Sequence, residues 1–444
     1  MGIIQQILFI LILGGVGYIA FKRYSRLRKN ILLGKEVDFI SDSGTRWKNT
    51  FLVAFGQKKM FKRMIPAVFH FFIYVAFLMT QVELLEILID GIFGTHRFFA
   101  GFLGGLYTFI ISIIEILSVL AFIATVVFLV RRNIIKVPRF VKPEMKGWPT
   151  MDGNLILVGE LLLLTGIFSM NGADTVLQSI NSPHFIDTGN FAISSWLGPA
   201  MFGGMSEGVL LGIERFGWWL HILVVFGFII YLTFSKHLHI FLAFPNVYFA
   251  KLSPRGEMKN MPEIMNEVKS MMGLIEEQPP EEMPEELPAF GAKDIFDLDW
   301  RTLMNAYTCT ECGRCTDECP ANKTGKKLSP RKILMDIRDR VEEVSDHIEK
   351  ENITDLASYD DGKNLFDYIS KEEIYACTAC NACVEACPVL IDPLAPILEL
   401  RRYDILTESA GPKDWLPMFN SLEQVGAVWQ MPDARDAWTK QLEE

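Results

Sequence analysis

Two cysteine motifs decide the fold of the C-terminal half of this chain. Residues 309–320 read CTECGRCTDECP, and residues 377–388 read CTACNACVEACP. Both have the spacing C-x2-C-x2-C-x3-C-P, and together they contain all eight cysteines of the 444-residue chain. Three closely spaced thiolates and a fourth thiolate before a proline are typical ligands of [4Fe–4S] clusters. The two motifs therefore predict two such clusters.

The spacing also predicts which cysteine binds which cluster. In two-cluster ferredoxins, the fourth cysteine of each motif binds the cluster of the other motif. A zinc site more often shows two C-x2-C pairs separated by a longer spacer, so zinc is the weaker interpretation. The expected ligand sets are Cys309, Cys312 and Cys315 with Cys387, and Cys377, Cys380 and Cys383 with Cys319.

The remainder of the chain divides by hydrophobicity and charge. Half of all residues are hydrophobic, which excludes a disordered protein. Residues 1–250 carry 21 basic and 14 acidic side chains, whereas residues 251–444 carry 22 and 39, and an acidic half argues against nucleic-acid binding. The domains we expect are a membrane domain at 1–250, an acidic, proline-rich linker at 251–298, a ferredoxin domain at 299–410 and a tail for packing or docking at 411–444.

Five apolar segments can supply the ~20 residues that a transmembrane helix needs. Lys and Arg are concentrated in residues 22–63 and 131–150 and are almost absent from the loops at the opposite ends. The positive-inside rule places these regions and everything after residue 240 in the cytoplasm, with the N-terminus outside. Disulfides are therefore not expected. The five segments are 3–21, 65–89, 99–130, 155–170 and 216–240.

Histidines within or at the ends of these segments are candidate haem ligands, because ionisable side chains inside a membrane are costly and indicate function. His221 and His239 lie 18 residues apart, which is five whole turns of an uninterrupted helix, so both are expected on one face. His70 is expected at the depth of His239, and the two predict an inner haem b. His237 is expected on another face of the helix.

Other interpretations of the polar residues in these segments remain open. His221 is the candidate ligand of a second haem, for which only His96 and His184 could serve as the partner. The histidines could instead make only hydrogen bonds. The buried carboxyls could relay protons to a quinone or could be neutral and hydrogen-bonded. These carboxyls belong to Glu83, Glu86, Glu115 and Glu160.

The membrane half resembles a known family. Five segments, with FSKHLHI at 234–240 closing the last, resemble the gamma subunit of respiratory nitrate reductase and the related cytochrome b subunits of heterodisulfide reductase. In that family the last helix carries two histidines at the spacing of His221 and His239. The second helix carries two more, ten residues apart, of which His70 matches the first and Thr80 replaces the second.

The C-terminal half resembles the C subunit of heterodisulfide reductase and the iron–sulfur subunits of succinate dehydrogenase, which are helical dicluster ferredoxins. Besides the cysteine motifs, the resemblance rests on Leu328-Ser-Pro-Arg331, on the residues that follow Cys387 and on Arg401-Arg402. Ser329-Pro330 also predicts the start of a helix.

The two resemblances imply an all-α protein: a five-helix transmembrane bundle with a cytoplasmic helical ferredoxin domain. They imply a subunit of a membrane-bound quinone oxidoreductase that transfers electrons through two [4Fe–4S] clusters and one or two haems b. The implied partners are the menaquinone pool and either electron-transfer flavoprotein or a separate subunit with CCG motifs, since this chain has no Cys-Cys pair. The alternatives are a haem-less membrane anchor for a ferredoxin and a subunit of a redox-driven ion pump.

Overall fold

The computed structural model describes residues 2–37, 39–258, 260–275, 289–356, 359–429 and 437–440. Within these ranges the regular structure is helical, apart from one isolated β-bridge between Lys35 and Asp299. The predicted all-α fold class is confirmed. Most of the acidic run of the predicted linker, at 276–288, lies outside the described residues.

Five helices have the length and hydropathy to cross a membrane, so the prediction of five spans is confirmed. The first is ten residues longer than its apolar segment, because the Lys and Arg residues that follow are good helix formers. The third begins later than predicted, because Gly104, with φ of 50°, separates it from a short turn. The spans are Ile3–Ile31, Met64–Phe93, Gly105–Asn133, Trp148–Ser179 and Glu207–Phe234.

The fifth span ends earlier than the sequence predicts. Its α-helix covers Glu207–Tyr231 and is followed by two 3-10 turns. Between the turns, Ser235 has extended backbone with φ of −114° and ψ of 148°. A separate helix then covers His239–Tyr248. The prediction that His221 and His239 share one uninterrupted helix is therefore wrong.

Asp152, on the fourth span, accounts for this break. Its carboxylate accepts hydrogen bonds from the Tyr231 hydroxyl at 2.5 Å, the Ser235 hydroxyl at 2.6 Å and the backbone N–H of Lys236 at 3.1 Å. The carboxylate thus satisfies a backbone donor that a continuous helix would have paired internally. The chain can therefore leave the helix here without losing that hydrogen bond.

Short helices and one long helix build the ferredoxin domain. The long helix, Pro330–Glu351, begins at the predicted Ser329-Pro330. Ala292, Ile295 and Leu298, from the end of the predicted linker, also pack into the core of this domain. The other helices are Trp300–Thr308, Arg314–Glu318, Pro320–Lys323, Lys371–Ala376, Ala382–Ala386 and Leu394–Arg402.

The two halves of the chain share one hydrophobic core. Leu27 and Ile31, at the end of the first span, and Leu238 are buried in the core of the ferredoxin domain. Burying each such side chain contributes roughly 1.5–3 kcal/mol. The ferredoxin domain is therefore packed against the bundle, at the end where the first span finishes and the second begins.

Ion pairs cover the rim of this contact. Arg26 pairs with Asp346, and Arg63 pairs with Asp317 at 2.7 Å and Glu318 at 2.9 Å. The basic segments that predict membrane orientation therefore also bind the acidic ferredoxin domain.

In the tail, the helix Leu416–Val425 is described, and Trp415 packs on Tyr375 with 5.3 Å between ring centroids.

Candidate redox centres

The two cysteine motifs fold in the same way. Each begins where a helix ends, at Cys309 and at Cys377. Each then passes through two residues with left-handed backbone, one between the first and second cysteines and one directly after the second cysteine. Such turns reverse the chain, so three sulfurs can face one centre. The left-handed residues are Glu311, Gly313, Ala379 and Asn381, with φ of 53°, 72°, 52° and 61°.

The first predicted ligand set comes together across the two motifs. Cys309 and Cys387 are both buried and belong to one small hydrophobic core with Leu334 and Ile391. Cys312 and Cys315 lie three and six residues after Cys309, and Cys315 belongs to the short helix Arg314–Glu318. The structure therefore brings the fourth cysteine of the second motif to the first motif.

The second predicted set lines one cavity of the ferredoxin domain. Cys377, Cys380 and Cys383 are joined there by Cys319, the fourth cysteine of the first motif. Four thiols around one cavity match the ligand number of a [4Fe–4S] cluster. Among the described residues, no group of three or more His, Cys, Asp or Glu side chains is arranged to hold a single metal ion.

The buried thiols need iron to lose their protons. Burial raises the pKa of Cys309 to about 12 and that of Cys387 to about 11. At neutral pH these thiols are protonated in the absence of a metal, and iron binding displaces the protons.

His70 and His239 face one another near the ferredoxin domain. Their ring centroids lie 6.4 Å apart. Two imidazoles bound to one metal at about 2 Å place their ring centroids roughly 6 Å apart. The Nδ1 atom of His70 lies 3.2 Å from Gln57 Oε1, and that of His239 lies 3.1 Å from the Lys236 carbonyl oxygen. Each Nδ1 atom thus has a hydrogen-bond partner in the protein, and each Nε2 atom remains available to bind an iron. The pair therefore fits the two axial ligands of a bis-histidine haem.

His237 is part of the same cluster, which corrects the prediction that it lies on another face. Its ring centroid is 5.5 Å from that of His239. The prediction assumed a continuous helix, but the extended backbone at Ser235 turns His237 and His239 together toward His70. Within the described ranges, His237 Nδ1 is buried without a hydrogen-bond partner.

His221 is buried at the contact between the fourth and fifth spans. Its Nδ1 lies 3.2 Å from the Leu163 carbonyl oxygen. A Cβ atom on Gly166 would lie 3.0 Å from the backbone nitrogen of His221, so the two helices touch here. In the part of the chain that the structure describes, no second histidine ring contacts His221, and His96 lies instead near Asp174 with 3.7 Å between Nε2 and Oδ2.

A buried ion pair connects the histidine cluster to the first cysteine motif. Lys236, next to His237, binds Glu311, which lies between Cys309 and Cys312. Glu311 also accepts a hydrogen bond from Arg338 at 2.9 Å. Neither Lys236 nor Glu311 is predicted from the sequence, because no local pattern marks a pair 75 residues apart.

The four glutamates that the sequence singles out in the spans fall into two groups. Glu83 and Glu115 both accept hydrogen bonds from Asn171, at 3.3 Å and 3.4 Å. Glu86 accepts a hydrogen bond from the Tyr107 hydroxyl in the same network. Glu160 is separate from this network.

The C-terminal motifs match a known family. The family described as "4Fe-4S dicluster domain" matches residues 308–391. These residues form a 4Fe-4S dicluster domain. Its eight cysteines support two [4Fe–4S] clusters.

Along most of its length the chain is similar to two longer proteins. The "Probable iron-sulfur-binding oxidoreductase FadF" of Bacillus subtilis is 27% identical over 431 residues, which are 90% of this chain and 55% of the relative. The "EtfAB:quinone oxidoreductase" of Syntrophomonas wolfei is 25% identical over 448 residues, with 96% and 58% covered. The chain thus spans little more than half the length of these relatives.

The ferredoxin half has a further relative. The C subunit of the ferredoxin:CoB-CoM heterodisulfide reductase of Methanosarcina mazei is 30% identical over 100 residues, 22% of this chain and 46% of the relative. No solved structure is significantly similar to the chain. Both longer relatives are named as oxidoreductases, and the dicluster domain and the five spans support an iron–sulfur protein of the membrane.

Proposed function

We propose that this chain is the electron-transfer subunit of a membrane-bound quinone oxidoreductase. It would carry single electrons between a cytoplasmic redox partner and the menaquinone pool. The observation that carries the proposal is the contact between the first cysteine motif and the histidine cluster, through Lys236 and Glu311. This contact joins two candidate redox sites within one chain.

The proposed ligands are those that the sequence predicts. Cys309, Cys312, Cys315 and Cys387 would hold the first [4Fe–4S] cluster, and Cys319, Cys377, Cys380 and Cys383 would hold the second. His70 and His239 would hold a haem b in a membrane domain of the nitrate reductase gamma type, and His221 remains the candidate ligand of a second haem. When bound, these groups supply one-electron chemistry.

The residues around the proposed ligands favour one order of the two cluster sites between the soluble partner and the haem. The loop of the first set contacts the membrane half, where Arg314 donates to the backbone oxygens of Lys59 and Met60 at 3.4 Å and 3.3 Å. In the second set Cys380 is exposed. The second set is therefore the proposed docking side for the soluble partner, and the first set is the proposed neighbour of the haem.

The proposed partners follow from the relatives and the charge pattern. The name of the Syntrophomonas relative pairs EtfAB with a quinone. We therefore propose electron-transfer flavoprotein, or a separate subunit with CCG motifs, as the soluble partner and a quinone as the membrane partner. The basic loops and the ferredoxin domain lie at one end of the spans, which favours a cytoplasmic ferredoxin domain with the N-terminus outside.

The cofactor content of the purified full chain tests the proposal. We expect about eight non-haem iron atoms per chain and the absorption of a low-spin haem b. His70→Ala and His239→Ala should each remove the absorption of the inner haem and leave the non-haem iron, whereas His347→Ala, on the long helix of the ferredoxin domain, should change neither. A native chain with two clusters and no haem would favour the haem-less anchor instead.

A further inference from the structure

A network of carboxyls lies at the end of the bundle opposite the ferredoxin domain. We call it the distal network. Its centre is Arg97, a buried side chain in the loop after the second span. Arg97 donates to Asp174 at 2.7 Å and to Asn171 at 2.6 Å. The six carboxyls of the network belong to Glu83, Glu86, Asp90, Glu115, Asp174 and Glu214.

The distal network reaches from the distal end of the spans about a third of the way along them. Glu83 lies ten residues before the end of its helix at Phe93, and Glu115 lies ten residues after the start of its helix at Gly105. At 1.5 Å per residue each is about 15 Å from the helix end. The two helices have 30 and 29 residues, or about 45 Å, so both carboxyls lie about a third of the way along the spans. Asn171 joins the two carboxyls by hydrogen bonds.

The charges of the network do not balance if every carboxyl is ionised. Six carboxyls face two guanidinium groups, those of Arg97 and Arg215. Full ionisation would leave an excess of four negative charges among the spans, where each unpaired charge is costly. The network must therefore hold protons or bound cations.

Two buried polar atoms without hydrogen-bond partners in the part of the chain that the structure describes indicate that the network holds protons and water. Glu83 is 1% exposed, and within the described residues its Oε2 has no hydrogen-bond partner, nor does Nδ1 of His96. Both side chains line one cavity, which leaves about 20 Å³ for water centres, enough for one or two water molecules. A cation in this cavity would face Arg97, whose Nη1 lies 4.0 Å from Glu83 Oε1.

We propose that the distal network is a proton path between the distal surface and the interior of the helical bundle. A proton bound at Glu83 Oε2 exchanges with water in the cavity: the O–H bond to Glu83 breaks as one to water forms. The water in turn exchanges protons with His96. This function goes beyond the proposed electron transfer and does not require that any particular haem be present.

Infrared spectroscopy of the purified full chain tests the proton path. At neutral pH we expect a C=O stretching band of protonated carboxyls that shifts in D2O. Glu83→Gln should remove one component of this band, whereas Glu207→Gln, at an exposed glutamate outside the network, should leave it unchanged. A native band that is fully accounted for by Glu160→Gln would overturn the proposal, even if the Glu83 variant failed to fold.

Salt controls separate protons from cations. At fixed pH and ionic strength, replacing choline chloride with sodium chloride should leave the carboxyl band unchanged. Loss of the Glu83 component in sodium chloride alone would show that the network binds sodium, and it would overturn the proton path. Because the measurement needs neither quinone nor a partner protein, its failure is distinct from failure of the proposed electron transfer.

Discussion

Lys236 and Glu311 form a buried ion pair between the membrane half and the first cysteine motif. Their side chains are 9% and 3% exposed. Lys236 also donates to the Pro149 carbonyl oxygen at 2.6 Å. Burial alone would raise the pKa of the Glu311 carboxyl, but Lys236 and Arg338 outweigh it and hold that pKa below its usual value. The pair therefore links the candidate haem ligands to the candidate cluster ligands.

Removing one partner of this pair should loosen the contact between the halves. Lys236→Met leaves Glu311 buried with only Arg338, so we expect a loss of about 3 kcal/mol in unfolding free energy. The loss should appear as a lower melting temperature of the purified chain, followed by cluster absorbance. Lys350→Met, at an exposed lysine, is the control. Adding Glu311→Gln to Lys236→Met should recover part of the loss, and no recovery would contradict a direct pairing.

Asp152 should matter for the haem site although it is no ligand. Without its carboxylate, Ser235 and the Lys236 N–H lose their acceptor, and the Lys236 carbonyl that holds His239 is no longer fixed. We expect Asp152→Ala to weaken haem binding about 10- to 100-fold, as loss of outer partners does at other metal sites. Haem titration of the apoprotein measures this. Asp187→Ala, in an exposed loop, should bind haem normally, and equal affinity in the two variants would refute the role of Asp152.

The crossed ligand sets predict which cluster each cysteine supports. Cys319→Ser should damage the cluster of the second motif, and the iron content should fall from about eight to about four atoms. Cys387→Ser should damage the other cluster, so the two variants should lose different electron paramagnetic resonance signals. Thr378→Ser should retain both signals. Loss of the same signal from both cysteine variants would contradict the crossed arrangement.

Acid should destabilise the ferredoxin domain through Asp361. Hydrogen bonds from the fully buried Arg340, at 2.7 Å and 2.8 Å, hold the pKa of Asp361 well below its usual value. Because the folded-state pKa is lower than the unfolded one, this stabilisation is complete above about pH 4 and is lost as the pH falls further.

Asp361→Asn should therefore lower the unfolding free energy at pH 7 by about 1–3 kcal/mol and weaken its dependence on acid pH. Thermal unfolding at pH 3 to 7 measures both effects. Glu351→Gln, at an exposed carboxyl, should follow the native curve. If Asp361→Asn has the same acid dependence of unfolding free energy as the native chain, other carboxyls control that dependence and the prediction for Asp361 is wrong.

Patterns local in sequence predicted much of this structure, and contacts distant in sequence account for the errors. The cysteine spacing indicates which cysteines of the two motifs lie together, because the motif itself encodes that geometry; the crossed ligand sets stay a prediction. The spans were predictable from apolar length. The break at Ser235 was not, because its cause is Asp152, 83 residues earlier, and the error over His237 follows from that break.

The basic loops illustrate a different limit. Arg26 and Arg63 were interpreted as orientation signals, and composition alone could not show that both also bind the ferredoxin domain. One sequence feature here has two physical roles, since a basic end of a helical bundle also attracts an acidic domain.

In the proposed function, electrons pass between the cluster domain and a membrane quinone through the site of His70 and His239. The most direct measurement follows the reoxidation of the chemically reduced, purified full chain by a soluble menaquinone analogue. We expect cluster absorbance to recover rapidly in the native chain and in His347→Ala, whereas the clusters should stay reduced in His70→Ala and His239→Ala. Recovery at the native rate in both of the latter variants would contradict it.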